Sequence, residues 1–226
     1  MNIDIQYRPG SAVAKIQIAD SESVMAEGGA MIAVSPNINV ETSMFRKEQG
    51  GLISAAKRLL TGENIFLNKY TSSGGNGEVW LAPNLPGDLE TRTLDNETIY
   101  VQGGSYLASS GDIKLDLSFQ GAKSFFSGEN LFWVKLSGTG QVVFNSYGMI
   151  YPIEVDGSHI VDTGHIVAFT DGLNFRITKA GSSWMSSFLG GEGLVCKFEG
   201  KGTVWFQSHN PSSFGGIIGP MLRPNK

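Results

Sequence analysis

Apolar and polar positions alternate with a period of two along most of this chain. The alternation is plain in Ile99-Tyr100-Val101, from Lys114 to Phe119, and from Gly140 to Phe144. A period of two places successive side chains on opposite faces of a strand, one face against a core and the other toward water. The same reading predicts strands through Ile38 and Val40, through Ile113, Leu115 and Leu117, and through Leu173, Phe175 and Ile177, with glycine-rich turns between them. One segment has helical spacing. From Leu52 to Leu60, Ala55, Ala56, Leu59 and Leu60 line one side while Lys57 and Arg58 face away. The apolar runs Ala122–Phe126 and Ser182–Leu189 are too short for more than single turns or loops.

The strand pattern repeats. Asp20, Glu22, Val24, Gly28, Gly29 and Ala33 return 75 positions later as Asp95, Glu97, Ile99, Gly103, Gly104 and Ala108. A third copy reads Asp156, Ile160, Gly164 and Ala168, with a one-residue slip. Each copy starts at a turn pair: Asp20-Ser21, Asp95-Asn96 or Asp156-Gly157. The last of these is a strong type I′ hairpin signal. A second motif follows in phase. Gly62-Glu63, Gly128-Glu129 and Gly191-Glu192 each precede a lysine (Lys69, Lys135, Lys197) and then a glycine-led strand carrying Val79, Val142 or Val204. Repeats found in phase at two separate motifs mark a triplication. The copies span 12–85, 86–150 and 151–226, which divides the chain into β modules 1–85, 86–150 and 151–226. Pro86-Gly87 and Tyr151-Pro152 are the only punctuation at the junctions, so the modules are expected to pack into one compact body.

Composition narrows the class. Of 226 residues 30 are glycine, nearly twice the ordinary share. Charged residues make up 17%, against about 25% in an ordinary soluble domain. The net charge of -4 argues against phosphate-driven binding of nucleic acid. The lone cysteine, Cys196, excludes an intrachain disulfide. Met1 to Ala19 has no apolar core of a signal peptide, and no window approaches the apolar length of a membrane span. A cytoplasmic location is the expectation.

Four segments read together carry a family resemblance: Gly103-Gly104-Ser105-Tyr106-Leu107-Ala108-Ser109-Ser110, Phe126-Ser127-Gly128-Glu129-Asn130-Leu131-Phe132, Ile160-Val161-Asp162-Thr163-Gly164-His165-Ile166-Val167-Ala168-Phe169, and Phe188-Leu189-Gly190-Gly191-Glu192-Gly193-Leu194. The chain resembles, over about residues 10 to 224, the family named for altered inheritance of mitochondria, whose bacterial members are largely of unknown function. The resemblance implies a fold like the tryptophan-binding RNA-attenuation protein, a small β module related to double-stranded β-helices and here present three times. It also implies kinship with fungal mitochondrial inner-membrane proteins linked to cristae organisation. It supplies no catalytic or ligand residue.

The residues offer little chemistry. His159 and His165, with Asp156 and Asp162 nearby, lack the His-x-His of a cupin-type metal site. No Gly-x-Ser-x-Gly elbow is present, and Cys196 sits in a strand pattern that suits a packed thiol. The repeated turn residues Gly62, Glu63, Gly128, Glu129, Gly191 and Glu192 could gather three carboxylates around a cation, but a glutamate after glycine beside a lysine better suits local bracing. Apolar residues before that motif, Phe125, Phe126, Trp184, Met185 and Phe188, either plug the open ends of the modules or form a contact face for a second subunit, another protein or a membrane surface.

These readings converge on an all-β protein of three tandem, pseudo-symmetric modules. The expected function is a non-enzymatic structural or interaction scaffold; the alternative is a small-ligand-binding β protein. No cofactor is expected. A surface so poor in edge-blocking Lys and Glu suggests a homo-oligomer, with a trimer as the first arrangement.

Overall fold

The computed structural model describes residues 1–44, 66–118, 133–179 and 194–222. Alternating β-branched and aromatic residues form strands β1 (Asn2–Gln6), β2 (Val13–Ile18), β3 (Ser23–Glu27), β4 (Met31–Val34), β5 (Ile38–Met44), β6 (Phe66–Ser72) and β7 (Gly77–Leu81). They continue as β8 (Leu89–Gln102), β9 (Tyr106–Ser118), β10 (Trp133–Asn145), β11 (Ile150–Asp162), β12 (Ile166–Thr170), β13 (Leu173–Lys179) and β14 (Leu194–Gln207). One α-helix occurs among the described residues, α1 (Pro211–Ile218). The fold is all-β. The helix expected over Leu52–Leu60 lies outside the described residues.

A four-stranded sheet runs β1-β2-β7-β4, and a ten-stranded sheet runs β11-β14-β12-β8-β10-β9-β3-β6-β5, with β13 on β14. One pairing scheme occurs three times along these paths. In residues 89–145, β10 is central and pairs antiparallel with β8 on one side and β9 on the other. In residues 150–207, β14 is central between β11 and the β12–β13 pair. In residues 13–81 the same three paths are each broken in two: β7 pairs β2 and β4, and β6 pairs β3 and β5. The second strand of each set carries a register shift at the same place, between Met31 and Ala33, opposite the Val143/Phe144 step in β10 that pairs with Ala108 and Tyr106, and between Ile166 and Ala168. Such a bulge adds an unpaired residue and re-aims its side chain.

The turn pairs behave differently from the hairpin signal in Asp156-Gly157. That dipeptide is no hairpin. β11 runs straight through it, Asp156 opposite Lys201 and Gly157 opposite Gly200. Ser21, Asn96 and Gly157 all have positive φ, at 66°, 54° and 108°. In β8 and β11 the left-handed residue sits inside one continuous strand without reversing it, whereas Ser21 falls in the break between β2 and β3. Gly138, at φ 129°, lies opposite Ile113 and Glu97, and a Cβ there would collide with the carbonyl oxygen of Asp112. Only glycine fits that crossing.

Three apolar clusters fill the interior, and each draws on more than one strand set. The first gathers Ile16, Val24, Tyr70, Val79 and Leu81 with Leu89, Leu107, Ala108 and Val143. The second gathers Ile99, Val101, Leu136 and Val142 with Ile150, Val167, Ala168 and Trp205. The third gathers Val155, Val161, Phe169, Phe198 and Val204 with Trp133. The repeated valines Val79, Val142 and Val204 are all 0% exposed. Helix α1 follows the last strand. Asn210 caps it, its Oδ1 accepting from the Ser212 and Ser213 N–H groups, and Pro211 stands in the first turn.

Candidate functional site

The residues singled out by the repeat motif, Gly62, Glu63, Gly128, Glu129, Gly191 and Glu192, lie outside the described residues. So do Phe125, Phe126, Trp184, Met185 and Phe188. Their attachment points are described. Each segment joins the second strand of a set to the third, between the paired positions Ser43↔Leu67, Ser118↔Trp133 and Thr178↔Val195. The lysines that follow occupy one register, opposite Met25, Tyr100 and Ile160. Lys197 pairs with Glu199 at 2.8 Å.

The nucleophile and metal candidates are occupied with structure. Cys196 is 1% exposed, and burial pushes its thiol up to about 12, which leaves no thiolate near neutral pH. His165 Nδ1 lies 2.7 Å from the Gln207 carbonyl oxygen, while His159 is exposed on β11. No group of three His, Cys, Asp or Glu side chains comes together among the described residues. A hollow of about 500 Å³ beside the N-terminus is lined by polar groups such as Asn2, Gln17, Ser35, Asn76 and Glu78 and opens broadly to water. The Glu78 carboxylate there accepts from the Trp80 indole and pairs with Lys15, which together hold it below the usual carboxylate range. It is braced, not poised for proton transfer.

What the structure does build with care is the joint between strand sets. β3 pairs with β9 through Val24↔Ser110, Met25↔Ser109 and Ala26↔Ala108. β8 pairs with β12 through Ile99↔Thr170, Tyr100↔Phe169 and Val101↔Ala168. The first joint is also tied by Arg8, whose Nε donates to Asp88 Oδ1 at 2.7 Å and whose Nη2 donates to Asp88 Oδ2 at 3.0 Å and Glu90 Oε2 at 3.1 Å. Tyr106 is fully buried there, its hydroxyl 2.9 Å from Ser109 Oγ. At the end of β3, Glu27 lies beside Tyr106, and its charge helps to raise the phenol pKa.

Burial pushes the Glu27 carboxyl up to about 7 from 4.5. The folded state therefore keeps a proton that the unfolded chain releases near 4.5. Glu27 favours folding below that pH, and its contribution is lost as pH rises through about 7. The expected result is a melting temperature that falls across this window in the wild type and falls less in Glu27→Gln. Thermal melts of both proteins from pH 4.5 to pH 8 check it, and identical slopes would remove Glu27 as the cause.

One strand is not used in this way. In β4 every residue is exposed, including Met31 at 41%, Ile32 at 58% and Val34 at 37%. Sequence reasoning gave Ala33 a place in the repeat but attached no function to β4. The signal was present in the run Met31-Ile32-Ala33-Val34, which is as apolar as its buried counterparts Tyr106-Leu107-Ala108-Ser109 and Ile166-Val167-Ala168-Phe169.

Comparison with known proteins places this arrangement. An uncharacterized protein of Streptococcus pyogenes serotype M6 is 30% identical over 210 residues, covering 90% of this chain and 84% of the relative. The crystal structure of a Streptococcus pyogenes protein, a structural-genomics target, superposes with a TM-score of 0.80 at 27% identity, covering 98% of this chain and 99% of the other. The family model described as mitochondrial biogenesis AIM24 matches residues 3–209, a span that takes in the fourteen described strands after the first residue of β1, so the chain belongs to the AIM24 family.

Proposed function

We propose that this protein is a non-enzymatic interaction scaffold that works as a homo-oligomer in the cytoplasm, without cofactor or nucleic acid. The observation that carries the reading is the exposure of β4. A strand whose residues Met31, Ile32 and Val34 are 41%, 58% and 37% exposed leaves apolar surface in water and, among the described residues, an unpaired sheet edge. Soluble monomers usually cover or charge such an edge. The rest of the described chemistry supports structure: a buried thiol, hydrogen-bonded histidine and braced carboxylates. Three strand sets joined edge to edge suit an arc within a larger body of the kind the tryptophan-binding RNA-attenuation protein represents, and three chains are the first stoichiometry to test. No described helix is long and apolar enough to cross a membrane.

Sedimentation velocity over a range of micromolar concentrations tests the reading. A species larger than one chain is the expected result. A monomer throughout the range overturns it.

A further inference from the structure

We propose that a second copy of this chain docks head to tail, its β4 pairing antiparallel with residues 159–161 of β11 in the register His159↔Ser35, Ile160↔Val34 and Val161↔Ala33. The inference rests on the oligomeric reading above and names the surfaces that meet. Those surfaces follow from the two joints inside the chain, which are built by one rule. The end of the first strand of one set pairs with the start of the second strand of the next. Val24–Ala26 takes Ala108–Ser110, and Ile99–Val101 takes Ala168–Thr170.

Register transfers the rule to the open ends. Ala33, Ala108 and Ala168 are equivalent, because they face Trp80, Val143 and Trp205 just beyond the shared bulge. Glu27, Gln102 and Asp162 are equivalent, because they face Leu67, Trp133 and Val195 at the ends of their strands. Counting from these anchors, residues 159–161 match 24–26 and 99–101, and residues 33–35 match 108–110 and 168–170. Among the described residues β4 pairs only with β7, and β11 only with β14. The described strands thus leave one copy of each half of the joint unused.

Burial carries the same message. Tyr106, Leu107, Ala108, Val167 and Ala168 are 0% exposed and Ile166 is 2%, whereas their β4 equivalents Met31 and Ile32 are 41% and 58% exposed. On the other edge Val24 and Ile99 are 1% and 0% exposed, while His159 is exposed and Ile160 reaches 58%. Opposed pairs at the centre of the two internal joints are Met25–Ser109 and Tyr100–Phe169, the latter stacked with centroids 5.0 Å apart. Ile160 and Val34 would make an aliphatic pair at that position.

The cores supply a second, independent line. The first cluster is completed by four residues of the following set, Leu89, Leu107, Ala108 and Val143. The second is completed by their exact counterparts, Ile150, Val167, Ala168 and Trp205. The third cluster, around Phe198 and Val204, draws on no following set among the described residues. The counterparts that could complete it are Val13, Ile32, Ala33 and Trp80, and these lie at the other end of the molecule on and beside β4. A heterologous contact of this kind closes into a ring or continues as a filament, according to the rotation it imposes.

Lysine at either edge blocks strand addition, and both positions are exposed, so the fold has room for it. The experiment compares wild type, Val34→Lys, Ile160→Lys and an equimolar mixture of the two variants by light scattering, with thermal melts alongside. Wild type should associate, and each variant alone should be monomeric with an unchanged melt. The mixture should give a heterodimer, because the intact β11 of the Val34→Lys chain meets the intact β4 of the Ile160→Lys chain. Variants that still associate would overturn the proposed register while leaving the oligomeric reading in place. A mixture that stays monomeric would overturn head-to-tail docking. A monomeric wild type would overturn both. Should a lysine variant fail to fold, mixed Val34→Cys and Ile160→Cys chains under oxidation decide the matter. A disulfide-linked heterodimer supports the register, and its absence rejects it.

Discussion

Val79→Asp is expected to unfold this protein at room temperature. Val79 is 0% exposed at the centre of the first core and pairs with Ile16, also 0% exposed, on one side and Val34 on the other. An aspartate there has no cation opposite it on either neighbouring strand. Placing an uncompensated carboxylate in an apolar interior costs roughly 4 kcal/mol or more, even after it takes up a proton. A domain's whole stability is only about 5–15 kcal/mol. The equivalent change Val142→Asp should be milder, because Arg92 stands directly opposite on β8 and offers a guanidinium. Val204→Asp, between Ile153 and Phe169, should resemble Val79→Asp. Urea titration followed by far-UV circular dichroism orders the three. If Val142→Asp were the least stable, Arg92 would not be compensating the buried carboxylate.

Phe169→Ala should lower stability by about 3–5 kcal/mol, the usual range for emptying a packed aromatic site. Phe169 is 1% exposed. Its ring lies 5.0 Å from Tyr100, 4.9 Å from Trp133, 5.1 Å from Phe175 and 5.3 Å from Phe198, measured between centroids. Two of these neighbours, Tyr100 and Trp133, belong to the preceding strand set, so the ring is both core and joint. Removing it leaves a cavity whose lining loses dispersion contacts on every side. Phe169→Leu keeps most of the volume and should cost roughly 1–1.5 kcal/mol. Denaturant midpoints for the two variants, with m-values compared, test this. Equal costs would show that lost volume is not what sets the penalty.

How much of this was legible beforehand differs by element. Alternation and glycine spacing were enough for the all-β class, for strands such as β5, β8, β9, β10 and β13, and for the common burial of Val79, Val142 and Val204. Those features are local, and a period of two has one structural meaning. The Asp156-Gly157 pair misled because a positive φ fits inside a continuous strand as readily as at a hairpin, and the facing Gly200, itself at positive φ, is 43 positions away along the chain. Helix α1 was missed although Asn210-Pro211 is a fair helix start, since Gly215-Gly216 dilutes any helical pattern after it.

The candidate contact face read from Phe125, Phe126, Trp184, Met185 and Phe188 lies outside the described residues, and the surface that emerged instead was hidden in plain sequence. Met31-Ile32-Ala33-Val34 has the same apolar character as Tyr106-Leu107-Ala108-Ser109 and Ile166-Val167-Ala168-Phe169. By itself the sequence determined that each of these runs is a strand built to be covered. Only the tertiary structure decided which of them is covered within the chain. An apolar pattern records what a strand can bury, whereas its covering partner is set by pairings between distant segments, and three similar strand sets in a row always leave one edge of the first and one edge of the last without a neighbour.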